Sequence, residues 1–328
     1  MRTITLCLLL SSTAGLGAQD APALPSPVTG RPVPRIDGQW WTIAHNPDLG
    51  RLTGPEQQPV DFAIWQARDG TWQLWSCIRH TKADGHTRVF HRWEGRRLTD
   101  TDWRPLGIAM QADPALGEAA GGLQAPHVLR DGDVFRMVYG DWNRICLAES
   151  RDGKKFERVL NARGEPGLFA GPYGNTRDPM LLKIGALYHC YYTGGTGNRD
   201  GGGATFDAAV FCRTSHDLHR WSEPVIVSAG GTAAKVGGPG TNAECPFVVA
   251  VDDGYCLFRN VAYGQFERNV QYASKNPLCF GVGDDLDYSG HLAVAAPEIV
   301  QFKGRYYIAA LLPTLDGIRI ARLEWGKS

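Results

Sequence analysis

One hairpin signature occurs five times along this chain, and it constrains the fold more than any other feature. Each copy has a residue beside proline (or Phe62), an apolar run, a tight turn usually carrying glycine, and a second strand rich in aromatics. The first is Asp61-Phe62-Ala63-Ile64-Trp65, followed by Asp69-Gly70 and Thr71-Trp72-Gln73-Leu74-Trp75. Equivalent units begin at Pro126-His127, Arg177-Asp178-Pro179, Glu244-Cys245-Pro246 and Pro297-Glu298. A second signature follows three of them: Ser150-Arg151-Asp152 leads to Phe156, Ser215-His216-Asp217 to Trp221, and Ser274-Lys275-Asn276 to Phe280. Serine with Asp or Asn two residues on favours a turn bonded to its own backbone, and the aromatic anchors the next strand.

Units of roughly 50 to 65 residues with four strands each, closed into a ring, predict an all-β, five-bladed β-propeller. Composition agrees. Glycine reaches 40 residues without a collagen-like period, and ten tryptophans accompany it, so the glycines serve turns in a strand-rich protein. No long amphipathic helix competes with this reading.

The ends and the charge add further bounds. Residues 1–18 read as a secretory signal: Arg2, then a short apolar stretch from Thr3 to Ala18, too short to span a membrane. Residues 19–38, proline-rich, read as an extended leader, and 39–328 as a single catalytic propeller domain. A secreted or periplasmic location follows. The net charge of zero lacks the positive field that nucleic acid or an anionic membrane surface requires. Seven cysteines remain after Cys7 leaves with the signal, none in a C-x-x-C pair, so most read as small buried hydrophobes. Cys190 with Cys212 is the first pair to consider for a bridge. Nothing in the sequence sets the oligomeric state.

In a propeller the inner strands converge on a central channel, which directs attention to Asp61, His127, Asp178, Glu244 and Glu298. Four of these are carboxylates at the head of apolar runs, where a charge is costly unless solvated, paired or functional. Glycosidic cleavage needs one protonated carboxyl to release the leaving oxygen and one carboxylate to activate water or attack carbon. A third carboxylate raises the acid's pKa. Each of these side chains has a structural alternative, in which it closes its blade by accepting backbone N–H bonds, and His127 and Arg177 could equally be structural. Trp65, Trp142 and Tyr173 lie near these positions as candidate stacking surfaces for sugar, with Trp40 and Trp41 entering the first blade. The glycine-rich stretches Gly194–Gly203 and Ala229–Gly240 read as rim loops able to cover a substrate.

Arg177-Asp178-Pro179, Glu244-Cys245-Pro246 and Asp61 at the head of the first hairpin resemble the catalytic residues of five-bladed-propeller glycoside hydrolases. This is the grouping of families 43, 32, 68 and 117, with family 130 as a phosphorylase-like relative. The resemblance extends over about residues 40 to 325. It implies Asp61 as base (or nucleophile), Asp178 as pKa modulator and Glu244 as general acid. Two departures stand out. Phe62 replaces the proline common after the first Asp in family 43, and the Asn-Asp-Pro-Asn-Gly motif of family 32 is missing. Asn46-Pro47-Asp48 has the wrong order, leaving Asp48 as a substitute only.

The resulting expectation is a secreted glycosidase with Arg177, His127, Glu298, Trp65, Trp142 and Tyr173 contacting a carbohydrate substrate. Family 43 looks closest, so inversion is expected, with no required cofactor. A structural Ca²⁺ in the channel, with no ligands assigned, is compatible with the resemblance and an oxygen-rich funnel. Alternatives are a glycoside phosphorylase, for which few basic residues adjoin the motifs, and a carbohydrate-binding propeller without catalysis.

Overall fold

A computed structural model describes residues 24–196, 208–238 and 240–328. The signal expected at 1–18 lies outside the described residues. Five antiparallel sheets surround one channel. Blade 1 comprises Gln58–Gln66, Trp72–Arg79, Val89–Gly95 and Arg104–Met110. Blade 2 comprises Gln124–Asp131, Val134–Gly140, Ile145–Ser150 and Gly167–Phe169, with Glu157–Arg158 also paired to its third strand. Blade 3 comprises Arg177–Ile184, Leu187–Gly195, Ala208–Ser215 and Val225–Ala229. Blade 4 comprises Glu244–Val251, Gly254–Ala262, Arg268–Ser274 and Tyr288–Leu292. Blade 5 takes three strands from the chain end, Glu298–Phe302, Arg305–Leu311 and Gly317–Lys327, and its outermost strand, Pro32–His45, from the beginning. Each inner strand contacts the next, and the fifth returns to the first.

That outermost strand moves a predicted boundary. Residues 32–38 were expected in the leader, yet they pair with Asp37 opposite Arg322 and Pro32 opposite Lys327. A strand this proline-rich is tolerated because it forms a sheet edge, where a missing N–H costs no ladder bond. It also carries Trp40 and Trp41 into blade 5 rather than blade 1. Trp41 meets Tyr307 edge to face, and Trp40 lies under Arg319. The strand also grips blade 1, where Trp103 N–H donates to the Ile43 carbonyl at 2.7 Å.

The turn chemistry is as the serine signature predicts. Ser150 Oγ accepts from Gly153 N–H at 2.8 Å, and Asp152 Oδ1 accepts from Lys154 and Lys155 N–H. Ser215 and Asp217 repeat the pattern with Leu218, His219 and Arg220. The following aromatics seat between blades: Phe156 on Trp65 and Trp75, Phe280 on Tyr191.

The cysteines are all free among the described residues. Cys190 and Cys212 cannot bridge, because Tyr191 is the residue opposite Cys212 and adjacent strand residues point to opposite faces. Their side chains accordingly join different apolar clusters. The Ala229–Gly240 stretch, expected as a rim loop, contains a short helix, Gly231–Val236, with Thr232 and Ala233 buried. Asp285 accepts from Thr232 N–H at 2.7 Å and fixes it. Of the other expected loop, residues 197–203 lie outside the described residues, while Gly194 and Gly195 complete a strand.

Ile43 is fully buried at the junction of blades 5 and 1. Ile43→Ala is expected to cost about 2–5 kcal/mol. Chemical denaturation of wild type and variant measures this, and a cost below about 1 kcal/mol would contradict the closure role given to this strand.

Candidate active site

A five-fold backbone irregularity builds the site. At the head of each inner strand one non-glycine residue has positive φ: Asp61 at 36°, Ala125 at 41°, Asp178 at 54°, Cys245 at 44° and Ala296 at 47°. Proline follows each except Asp61. In blades 1 to 4 the pairing register shifts across this residue, the signature of a β-bulge. Such a conformation is unfavourable for an L-residue and persists only where the surroundings hold it.

This register reorders the predicted funnel. The equivalent positions are Asp61, Ala125, Asp178, Cys245 and Ala296, so the predicted set mixed three levels. Glu244 and Arg177 stand one residue before the bulge, with Val60 and Gln124. His127 and Glu298 stand two after it, with Met180. Side chains at the bulge and just before it line an open pocket of about 190 Å³ that includes Val60, Asp61, Gln124, Arg177, Asp178 and Glu244. Those at the bulge and beyond it line a narrow recess of about 20 Å³ deeper in the channel, where Glu298 lies. Asp61 and Asp178 border both spaces.

The three predicted catalytic carboxylates therefore meet at one pocket. Arg177 Nη2 donates to Glu244 Oε1 at 2.8 Å and to the Gly240 carbonyl at 3.0 Å, while its Nε lies 3.6 Å from Asp178 Oδ2. Asp178 Oδ2 also accepts from Cys245 N–H at 3.2 Å. Burial raises the Asp178 carboxyl to about 7; Arg177 opposes this, and the charges of Asp61 and Glu244 add to it. Burial likewise raises Glu244 above the usual carboxyl range, against the pull of Arg177. Burial thus gives the pocket two carboxyls that hold a proton above the ordinary carboxyl range, as a proton donor requires.

Cys245 is the member that sequence reasoning quoted without assigning a role. Its Sγ lies 3.1 Å from Asp61 Oδ1 and 3.2 Å from Tyr263 Oη. Burial and the neighbouring carboxylates push the thiol well up, so it stays protonated and donates to Asp61. Arg79, Arg88 and Tyr263 were also missed. Arg79 ends the second strand of blade 1, Tyr263 follows that of blade 4, and Trp142 follows that of blade 2. Antiparallel pairing returns the end of each second strand to the mouth where its inner strand began, and this was the available signal.

Trp142 lines the pocket, 37% exposed and stacked on His86 at 3.7 Å. Other predicted contacts lie elsewhere. Trp65 is a buried inter-blade residue whose Nε1–H donates to the Gly153 carbonyl at 2.8 Å. His127 is buried, its Nδ1 accepting from Leu181 N–H at 3.2 Å, and burial holds it neutral with a pKa of about 3. It lines neither the open pocket nor the recess. Tyr173 is exposed on the loop before blade 3 and does not line this pocket. Glu298 borders only the recess, where burial raises its carboxyl well above the ordinary value. Asp48 caps a turn, accepting from Gly50 N–H and the Thr53 hydroxyl.

One donor atom each from Asp61, Asp178 and Cys245 falls within 4.8 Å of the others. Calcium takes about six to eight oxygens. A protonated thiol and two carboxylates, one also held by a backbone N–H, do not fit that shell.

No family model and no curated protein matches this chain. Solved structures do match in fold. A thermostable family-43 glycoside hydrolase aligns with 16% identity over 84% of this chain and 91% of its own, at a TM-score of 0.59. The family-43 enzyme from Xanthomonas citri, complexed with xylose, gives 14% identity, 86% and 90% coverage, and 0.58. A structure from the GH130 family of mannoside phosphorylases, which contains glycoside hydrolases targeting β-1,2 mannosidic linkages in Candida mannan, gives 15%, 86%, 94% and 0.56. These likenesses establish the five-bladed propeller fold.

The raised Asp178 carboxyl couples folding to pH. Its usual value is 3.8, so between about 4 and 7 the folded chain holds a proton that the unfolded chain releases. That stabilisation is complete below about 4 and is lost as pH rises toward 7. Melting temperature should fall over this interval, and Asp178→Asn should flatten the fall. Calorimetry at stepped pH tests this; parallel slopes for variant and wild type would count against the raised carboxyl.

Proposed function

We propose that this chain is a secreted or periplasmic glycoside hydrolase acting on an oligo- or polysaccharide. The observation that carries the reading is the meeting of Asp61, Asp178 and Glu244 at one pocket, with the charged forms of the last two disfavoured by burial. Glu244 is the general acid. It borders the open pocket but not the recess, which suits a group that must reach a leaving oxygen. Asp61 is the base, held by the Cys245 thiol and facing both the pocket and the deeper space where a water fits. Burial and the nearby charge of Asp61 raise the Glu244 carboxyl, and Asp178, itself raised beside it, orients the sugar. Inversion follows if Asp61 activates water, which requires a carboxyl separation of roughly 6.5–9.5 Å. Arg177 is the positioning residue, bridging Glu244 to the loop at Gly240.

A glycoside phosphorylase is the second reading. Few basic residues adjoin the motifs in sequence, but Arg79 and Arg88 line the same pocket. A rate that requires phosphate would favour it.

Screening aryl glycosides and oligosaccharides with wild type, Asp61→Asn and Glu244→Gln tests the assignment. Asp61→Asn should lower kcat roughly a hundred- to ten-thousandfold on every substrate. Glu244→Gln should do so on oligosaccharides yet spare aryl glycosides whose leaving group needs no proton. Full activity in either variant on the true substrate would overturn the roles. Binding without turnover by wild type across a broad panel would make this a carbohydrate-binding propeller instead.

A further inference from the structure

We propose that the substrate is an anionic glycan whose sugar-borne oxyanion, a carboxylate or a sulfate, is received by Arg88 and Arg79; this rests on the glycosidase reading. Three arginines line the catalytic pocket. Arg177 is committed to Glu244, Asp178 and the Gly240 carbonyl. The other two have no carboxylate within ion-pair distance among the described residues. Arg79 is held by a neutral group, its Nε and Nη2 donating to Gln58 Oε1 at 3.0 and 2.7 Å. Arg88 is half-buried with its guanidinium 5.1 Å from the Trp142 ring centroid. A guanidinium withdrawn from water calls for an anion, and its planar fork matches carboxylate and sulfate geometry.

The positive lining also extends beyond the carboxylates. A neighbouring surface pocket of about 490 Å³ shares Arg88 and adds Arg51 and Lys82 against a single acid, Asp84. Neither Arg51 nor Lys82 is ion-paired among the described residues. One phosphate co-substrate would be satisfied at Arg79 and Arg88, whereas a basic track running outward fits a chain carrying charge on successive sugars. Trp142, between His86 and Arg88, offers an apolar edge to the sugar beside the charge.

The test measures binding by calorimetry to a uronate oligosaccharide, a sulfated oligosaccharide and a neutral oligosaccharide of equal length. Wild type, Arg88→Gln, Arg88→Lys and Asp61→Asn are compared, each checked by thermal melting. At low salt, one anionic ligand is expected to bind at least about tenfold more tightly than the neutral one, the value of one charge-assisted contact. Arg88→Gln should remove most of that preference, Arg88→Lys should keep part of it, and about 300 mM NaCl should weaken it. The uronate and sulfate arms identify the oxyanion.

Equal or tighter binding of the neutral ligand, or a preference untouched in folded Arg88→Gln, would overturn the proposal. So would inorganic phosphate that is both required for cleavage and lost as a ligand in Arg88→Gln. Anionic binding that persists while Asp61→Asn changes no turnover would sink the glycosidase roles and leave the anion site standing. Neutral-glycan cleavage that needs Asp61 but not Arg88 would do the reverse.

Discussion

Pairing of the two chain ends is the constraint on which the rest depends. Pro32–His45 lies against Gly317–Lys327 in one long antiparallel ladder, so the last blade is complete only when the first strand has docked. Without it the ring has an open edge, and the inner strands have no reason to keep their spacing. With it, the fifth inner strand returns to the first and all five heads face one another across the channel. The candidate catalytic pocket is therefore not local to any blade. Asp61, Asp178 and Glu244 come from blades 1, 3 and 4, and their distances are set by closure of the whole ring.

The second level of control is the left-handed residue at each strand head. It brings two consecutive side chains toward the mouth where a regular strand would send one up and one down. Arg177 and Asp178 both border the pocket for this reason, as do Val60 and Asp61. The five copies of an unfavourable conformation are accompanied by a following proline at all but Asp61, by bulged pairing in blades 1 to 4, and by bonds across blades. Ala296 N–H, for example, donates to Asn260 Oδ1 at 3.1 Å. Two of the five positive-φ positions, Ala125 and Ala296, carry no ionisable side chain, so the backbone device belongs to the architecture and the carboxylates sit upon it.

The fold was legible because each blade must repeat its own hairpin, turn and aromatic anchor locally, and local chemistry is written in local sequence. Asp61, Asp178 and Glu244 were legible for the same reason, as polar interruptions of apolar inner strands. The level of each residue was not, because a bulge shifts register by one and leaves composition unchanged. His127 and Glu298 thus resembled funnel residues while sitting deeper. Trp65 misled in a different way: an aromatic close in sequence to the site, in an inner strand, turns to the blade interface. Arg79 and Arg88 escaped notice because strand pairing, rather than any motif, carries them to the mouth.

Charge balance at the mouth ties these levels together. Three acids and three arginines line one pocket, a local echo of the zero net charge of the chain. They are not paired one to one. Arg177 touches two carboxyls at once, and burial nevertheless outweighs it, keeping Asp178 and Glu244 above the ordinary range. Asp178 thereby keeps its proton up to about pH 7, and Glu244 is raised in the same direction even with a cation 2.8 Å away. The same retention weakens the negative field that Arg79 and Arg88 would otherwise meet. Raised acids and two arginines without carboxylate partners among the described residues thus share one desolvated pocket, which favours the neutral form of its buried carboxyls and leaves positive charge at its wall.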